Sequence, residues 1–304
     1  MSGYLGGVLV ILCINVVLAY AVFLPVAAGQ LNLGGAAFQA VGAYATGYLA
    51  TNYDLPVPLV FVASGIASGL IAFVFALSIL RTRSVYLVLA TFAFSEFVSG
   101  VIVNVPALGG SMGLPVPPHL GSTVVVAVTA ATTVVVLLLM QTRFGMAMRA
   151  IHDDDTVADL MGIGVRRTRV AAFTVGGVLA GIAGALYAFY FNFVDISNFG
   201  ADSSIYLLLF VLLGGTQTIW GPLIGAAFFT VVPELFRNAV AELPAVTHLF
   251  GFSGQLDTSW RFVFLGVATV VMMVVRPEGV VTRIGLGRLL HRTPASVSER
   301  SQPA

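Results

Sequence analysis

The feature that most constrains this chain is a series of apolar runs, each close to the length of a membrane-crossing helix. A helix needs about 20 predominantly apolar residues to cross a hydrocarbon core about 30 Å thick. We find about nine such segments, at 4–24, 33–50, 58–80, 85–104, 122–140, 170–191, 204–213, 220–236 and 260–275. The sequence therefore predicts an all-α, polytopic transmembrane helix bundle of about eight to nine spans, in which the short run 204–213 is a candidate half-helix.

The composition is typical of a chain that is embedded in a lipid bilayer. It is 58% hydrophobic and only 9% charged, and its mean hydropathy is +0.99, whereas soluble domains carry about 25% charged residues. A net charge of +1 leaves no surplus of cations for phosphate contacts, so nucleic acid is excluded as a partner. The bilayer is the expected environment.

The arginines predict the orientation, because short cytoplasmic loops carry the excess of Lys and Arg. Twelve of the 14 basic residues fall into three groups, at 81–83, 143–169 and 276–300. Nine crossings with an external N-terminus place all three groups in the cytoplasm, in a plasma or inner membrane. A transmembrane domain over 1–283 would then precede a polar, disordered cytoplasmic tail at 284–304.

Several kinds of chemistry are excluded by what the chain lacks. All its basic residues are Arg and none is Lys, so it has no phosphate-binding loop of the Walker type and no lysine for Schiff-base catalysis. No nucleophile and base pair stands out, so no enzyme activity is expected. The histidines are scattered singly, which predicts no metal site and no cofactor; they are His119, His152, His248 and His291.

The loop at 142–169 is far longer than a turn between two helices requires. Phe144, Met148 and Ile151 fall on one helical face, with Arg149 and His152 off it. This pattern predicts a short helix that packs one side against the bundle.

A second short helix is expected directly after the first. Any of Asp153, Asp154 and Asp155 can cap its N-terminus, and Gly162 can end it. Such a helix would run through Ala158 and expose three apolar side chains, Val157, Leu160 and Met161. Two interpretations stay open: a docking surface for a soluble partner, or a loop that lies on lipid headgroups.

Small residues four apart allow close helix approach in lipid. They occur at Gly65 and Gly69, at Gly177 and Gly181, and at Gly221 and Gly225. We expect them to pack helices within this bundle, with a seam between two subunits as the alternative.

The order of several motifs resembles one family, the permeases of branched-chain amino acid ABC importers, which include relatives for urea and short amides. The segments that carry the resemblance are GMAMRAI at 145–151, DDDTVADLMGIGV at 153–165, AGIAGALY at 180–187, GGTQTIWGPLIGA at 214–226 and RPEG at 276–279. Earlier segments fit the same pattern: YLVLAT at 86–91 before Ser95 and Glu96, and GGSMG at 109–113.

The resemblance implies an ABC importer permease that works with a homologous second permease, two cytoplasmic ATP-binding subunits and an extracytoplasmic solute-binding protein. It also implies that residues 142–169 are an ATPase-coupling loop. The residues expected to act there are Arg149, Asp155, Ala158, Leu160, Met161 and Gly162.

The most notable charge within the apolar runs is Glu96, at the middle of its segment. An ionised residue at a helix centre costs about 3 kcal/mol, whereas the Leu, Ile, Phe and Val side chains of 85–103 contribute about −3 to −7 kcal/mol. The helix therefore inserts, and Glu96 is expected to face the bundle interior. It is a structural partner, a contact on the translocation path or a proton-coupling site.

Other polar residues within or beside the apolar runs are candidates for helix-packing hydrogen bonds or for the translocation path. They are Asn15, Gln30, Asn32, Gln39, Thr91 and Gln217. Two rival functions remain: an ion-coupled secondary transporter with Glu96 as proton carrier, or a passive channel for a small neutral solute such as urea.

Overall fold

The computed structural model describes residues 2–53, 55–79, 84–117 and 120–241, and the single positions 266, 267, 270 and 274. Ten α-helices lie in these ranges, and two of them are short. In chain order they are α1 Ser2–Ala27, α2 Gly35–Asn52, α3 Val57–Ile79, α4 Ser84–Asn104, α5 Ser122–Gln141, α6 Arg143–Asp153, α7 Asp155–Leu160, α8 Val165–Phe191, α9 Ala201–Gly214 and α10 Trp220–Ala241.

The predicted all-α bundle is confirmed, since each of the first eight apolar runs coincides with one helix. Six helical segments in the described ranges are long and apolar enough to cross a membrane. They are α1, α3, α4, α5, α8, and α9 with the turn before it. The predicted span 260–275, the tail 284–304 and the loop at 81–83 fall outside the described residues, apart from the four single positions.

Helix α8 forms the centre of the bundle and packs against α1, α2 and α3. Its glycines make this possible: a Cβ on Gly42 of α2 would overlap the backbone of Gly181, and a Cβ on Gly184 would overlap that of Gln39. Ser68 of α3 adds hydrogen bonds of 2.8 Å to the carbonyls of Phe38 and Gly177. The backbones therefore touch as they do in helix pairs with small-residue faces.

The predicted glycine pairs all pack against other helices of this chain. Gly65 and Gly69 face Val178 of α8, and Gly221 and Gly225 face the end of α9. Packing within the bundle is therefore confirmed for these pairs.

One end of the bundle carries a small β-element that the sequence analysis did not predict. Strand β1, Leu114–Pro115, pairs antiparallel with β2, Phe193–Val194. Asn192 extends the contact, because its side-chain amide donates to the Val116 carbonyl over 2.7 Å. A 3₁₀ turn at Ile196–Phe199 then leads into α9. The loop before α5 and the loop after α8 are thus joined at this end.

The segment α6–α7 lies at the opposite end of α8, since it precedes that helix directly while β2 follows it. With 27 residues, α8 is about 40 Å long at 1.5 Å per residue. The two ends of the bundle are therefore separated by roughly the thickness of a bilayer with its headgroups.

Candidate functional site

The segment α6–α7 is folded, as the sequence predicted, and one side of it is packed on the bundle. Met148 and Ile151 of α6 and Ala158 of α7 are buried, and Phe144 packs against the core. These contacts fix the segment to the transmembrane helices, so the two cannot move independently without exposing apolar surface.

Both ends of α7 are capped by the residue types that the sequence offered. Asp154 is the N-cap: its Oδ1 accepts the N–H groups of Thr156 at 2.8 Å and Val157 at 3.0 Å. At the other end Gly162 has φ +80°, a left-handed conformation that favours glycine. There the N–H of Gly162 donates to Asp159 O and that of Ile163 to Ala158 O, which is the Schellman arrangement.

The outer side of α7 exposes a compact apolar patch. The side chain of Leu160 is 84% exposed, that of Met161 79% and that of Val157 51%. We call these three residues the α7 patch. Three exposed apolar side chains on one turn of a rigid, doubly capped helix form a surface that water does not favour.

Two cationic or titratable side chains join the segment to the end of α1. Arg169 of α8 forms an ion pair of 3.2 Å with Asp155 and also donates from Nε to the Ala28 carbonyl over 3.3 Å. His152 Nδ1 lies 3.2 Å from the Val26 carbonyl, and because a carbonyl only accepts, Nδ1 carries the hydrogen. These bonds bring α7, α8 and the end of α1 together.

Arg149 differs from the expectation that it would lie off the packed face. Its Nε is buried, with no hydrogen-bond partner among the described residues. Arg149 therefore packs partly into the segment rather than standing free of it.

Three of the predicted path residues cluster where α1 connects to α2. Gln30, Asn32 and Thr91 are all buried, and Thr91 Oγ1 accepts the N–H of Leu33 over 3.0 Å. Asn32 Oδ1 accepts the N–H of Gly34 over 2.7 Å. The connection thus replaces backbone hydrogen bonds with side-chain ones, as non-helical backbone inside a membrane protein requires.

Two serines complete this cluster, and sequence reasoning did not single out Ser204. Ser95 Oγ donates to the Leu33 carbonyl over 3.1 Å, and Ser204 Oγ accepts the N–H of Ala36 over 3.1 Å. The two hydroxyls lie 3.5 Å apart. Nothing local in the sequence marks Ser204, because its partners lie more than 100 residues away.

Gln39 is separated from that cluster and lines a cavity of about 550 Å³ between α1, α2, α8, α9 and α10. Polar side chains from the 3₁₀ turn and the start of α9 also line it. The cavity lies towards the β1–β2 end, because it is bounded by the last turns of α8 and the first turns of α9.

The remaining two path candidates lie elsewhere. The prediction that Glu96 faces the bundle interior is wrong for this chain, since its side chain is exposed on α4. The reason is that α4 is apolar on nearly all sides, so its sequence gives no preferred inner face. Gln217 is exposed in the turn between α9 and α10.

The described residues contain no group of three His, Cys, Asp or Glu side chains that could hold a metal ion. The features that the structure shows at this end of the bundle are hydrogen bonds, one ion pair and the α7 patch.

The chain is similar to several transport permeases. It is 25% identical over 287 residues to the high-affinity branched-chain amino acid transport system permease protein LivM of Escherichia coli, an alignment that covers 83% of this chain and 63% of that protein. A probable LivM of Methanocaldococcus jannaschii is 21% identical over 237 residues, 73% of this chain and 67% of the relative.

A more local likeness links the chain to another transport system. The autoinducer 2 import system permease protein LsrC of Klebsiella pneumoniae is 34% identical over 110 residues, which is 34% of this chain and 31% of that protein. No solved structure matches the chain.

The match to a whole family is the broadest of these findings. The family described as branched-chain amino acid transport system / permease component matches residues 4–275, which include every helix that carries the features above. Apolar helices, a folded segment at one end and this match agree: the chain is a multi-pass membrane protein that belongs to the permease component family of branched-chain amino acid transport systems.

Proposed function

We propose that this chain is the membrane-spanning permease of an ATP-driven importer for branched-chain amino acids or closely related small solutes. The observation that carries the proposal is the segment α6–α7, which exposes the α7 patch on one side and is bonded to α1 and α8 on the other. A folded element with these two sides can pass a movement from a soluble protein to transmembrane helices.

The energy source must lie on other polypeptides, since the chain has no lysine for a nucleotide phosphate loop. Two cytoplasmic ATP-binding subunits would contact the α7 patch, in this permease and in its homologous partner. An extracytoplasmic binding protein would deliver the solute. The relatives' names support this assembly, because they describe import or transport system components.

A second permease is the proposed cover for the exposed side of α4. Glu96 lies there beside Phe97 and Gly100, and a Cβ on Gly100 would meet nothing within 4 Å. An ionised carboxylate facing lipid at the helix centre costs about 3 kcal/mol, whereas a protein neighbour can offer polar groups or water. The open space at Gly100 lets a neighbouring backbone approach closely.

The proposed orientation puts α6–α7 in the cytoplasm and the β1–β2 end outside. Five of the arginines in the described residues, at 143, 149, 166, 167 and 169, lie in or next to α6–α7, in keeping with the positive-inside rule. The N-terminus is then outside, the membrane is the plasma or inner membrane, and the C-terminus lies in the cytoplasm.

The test is uptake by proteoliposomes that contain the full importer. Leu160→Asp places a charge in the centre of the α7 patch and is expected to reduce ATP-driven uptake to background, while the amount of permease in the membrane stays unchanged. Leu160→Met keeps an apolar side chain of similar volume and should transport normally. Gly162→Pro should behave like Leu160→Asp, because proline cannot adopt φ +80°.

The same assay separates the rival functions. An ion-coupled transporter loses uptake when an ionophore collapses the gradient, and a channel conducts without ATP or ATPase subunits. Full uptake by Leu160→Asp, or uptake by this chain alone, would show that the proposal is wrong.

A further inference from the structure

The cavity beside Gln39 has the dimensions of a binding site. Its volume of about 550 Å³ lies within the range of about 300–1,000 Å³ found for small-molecule sites. It lies towards the β1–β2 end of the bundle, which is the end proposed above to face outside.

The walls of the cavity are of two kinds. Apolar side chains from α1, α9 and α10 form one part, including Leu18, Phe210 and Phe229. Polar side chains gather where the 3₁₀ turn meets α9, including Asn198, Asp202 and Ser203. A ligand that fits both parts has an apolar body and a polar end.

Gln39 gives a separate indication that a ligand belongs here. Its side chain is only 6% exposed and lines the cavity. Its amide atoms are not among the buried polar atoms that lack a partner, so the amide can form hydrogen bonds with a molecule in the cavity. Its neighbour Asn15 is held by Thr230, to which its Nδ2 donates over 3.0 Å, and retains a second N–H and its oxygen.

The charge of the lining residues indicates which chemical group the polar end of the ligand carries. Asp202, whose side chain is exposed, is the one charged residue among the described residues that line the cavity, and no described Arg, Lys or His lines it. A carboxylate in such a site favours a cationic group, and the hydrogen bond to an ammonium is stronger than one to a neutral amide. The free amide donors of Gln39 and Asn15 suit a carboxylate or carbonyl on the same molecule.

From this geometry we propose that the cavity is a solute-binding site of the permease, selective for an α-amino acid with an aliphatic side chain over neutral urea or amides. Asp202 binds the ammonium group, Gln39 and Asn15 bind the carboxylate, and Leu18, Phe210 and Phe229 enclose the side chain. This inference rests on the proposed import function and adds to it a place and a chemical basis for selection within the membrane subunit.

Protection of an introduced thiol from chemical labelling tests directly whether a ligand occupies the cavity. In the full complex, Cys13→Ala removes the single cysteine and Ser203→Cys places a thiol at the cavity wall. A small polar maleimide added outside should label this thiol, and leucine should slow labelling at least fivefold while urea does not. Absence of labelling would mean that other parts of the protein fill the cavity, and equal labelling with and without leucine would mean that it does not bind leucine; either result overturns the inference.

Removal of the negative charge of Asp202 tests whether this carboxylate selects the ligand. Asp202→Asn should raise the leucine concentration for half-protection at least tenfold. The matched control is Asp195→Asn: Asp195 lies nearby but outside the lining, and its carboxylate already accepts from Ser197 Oγ at 2.6 Å and Ser197 N at 3.1 Å. Asparagine can keep that cap, so this variant should protect like the parent.

Uptake measured in parallel distinguishes two kinds of failure. If the parent complex shows no ATP-driven uptake of any solute, the proposed function fails. If the parent transports leucine and Asp202→Asn transports and binds it equally well, only the cavity assignment fails.

Discussion

The N-cap of α7 provides the sharpest test of how the segment α6–α7 works. Three consecutive acids lie at the start of this helix, and Asp154 is the one that accepts its first N–H groups, from Thr156 and Val157. Asp154→Ala removes both bonds. Replacement of an N-cap Asp by Ala costs about 1 kcal/mol, and since 1.4 kcal/mol is tenfold, the equilibrium for opening α7 should shift by roughly fivefold.

A six-residue helix has little stability of its own, because isolated helices shorter than about 12 residues are marginal in water. The N-cap, the Schellman end and the burial of Ala158 hold α7 together. Loss of one of these three contributions should therefore measurably increase the opening of α7. Hydrogen exchange measured by mass spectrometry on a peptide that covers 155–163 should accelerate about fivefold in Asp154→Ala.

Asp153→Ala is the matched control, since Asp153 is exposed at the end of α6 and forms no recorded hydrogen bond. It should leave exchange unchanged, and Asp154→Ser should restore most of the protection because serine also caps. ATP-driven uptake should follow the same order. Equal exchange in Asp153→Ala and Asp154→Ala, or no change in either, would refute the role assigned to the cap.

Three further outcomes are expected. Gly42→Ala should lower the thermal stability and yield of the solubilised protein, because its Cβ would overlap the Gly181 backbone and such overpacking costs about 1–3 kcal/mol; Gly7→Ala, with nothing within 4 Å, should not. Glu96→Gln should reduce co-purification of the second permease without lowering the amount of this chain in the membrane, whereas Ser78→Ala on exposed α3 surface should leave both unchanged. Hydrogen bonds from the Ser197 side chain and N–H hold the pKa of Asp195 below its usual 3.8, so their stabilisation is complete above about pH 3.8 and is lost as the pH falls through the lower folded-state pKa; Ser197→Ala should raise that pKa, as followed by NMR titration of the carboxyl carbon.

The spans could be predicted from sequence because each helix in lipid satisfies its own backbone and is selected by its own apolar composition. The ends of the helices were harder to predict. Helix α8 begins at Val165, five residues before the apolar run at 170–191. Residues 166–169 are polar, so the apolar pattern did not include them although they belong to the same helix. The pairing of β1 with β2 could not be read from the sequence, since it joins residues about 80 positions apart.

The candidate site, like the helices, could be predicted from the sequence only where local rules decide its structure. The folded segment α6–α7 and its end at Gly162 follow from local rules of capping and periodicity. The choice of Asp154 over Asp153 and Asp155 does not, because all three can cap and only the register of α7 decides. Ser204 and the contact of Arg169 with Ala28 depend on distant elements that meet only in the fold.

The connection between α1 and α2 links the segment α6–α7 to the interior of the bundle. Its first part is held from the segment α6–α7 and from α8, where His152 and Arg169 bind the carbonyls of Val26 and Ala28. Its last part is held from α4 and α9, through Thr91 on Leu33 and Ser204 on Ala36. Only a few residues separate the two sets of bonds, and an extended chain spans at most about 3.6 Å per residue. A displacement of α7 relative to α4 would therefore act on this short connection, so we expect movement of the segment α6–α7 to reach the start of α2, the helix that carries Gln39 to the cavity.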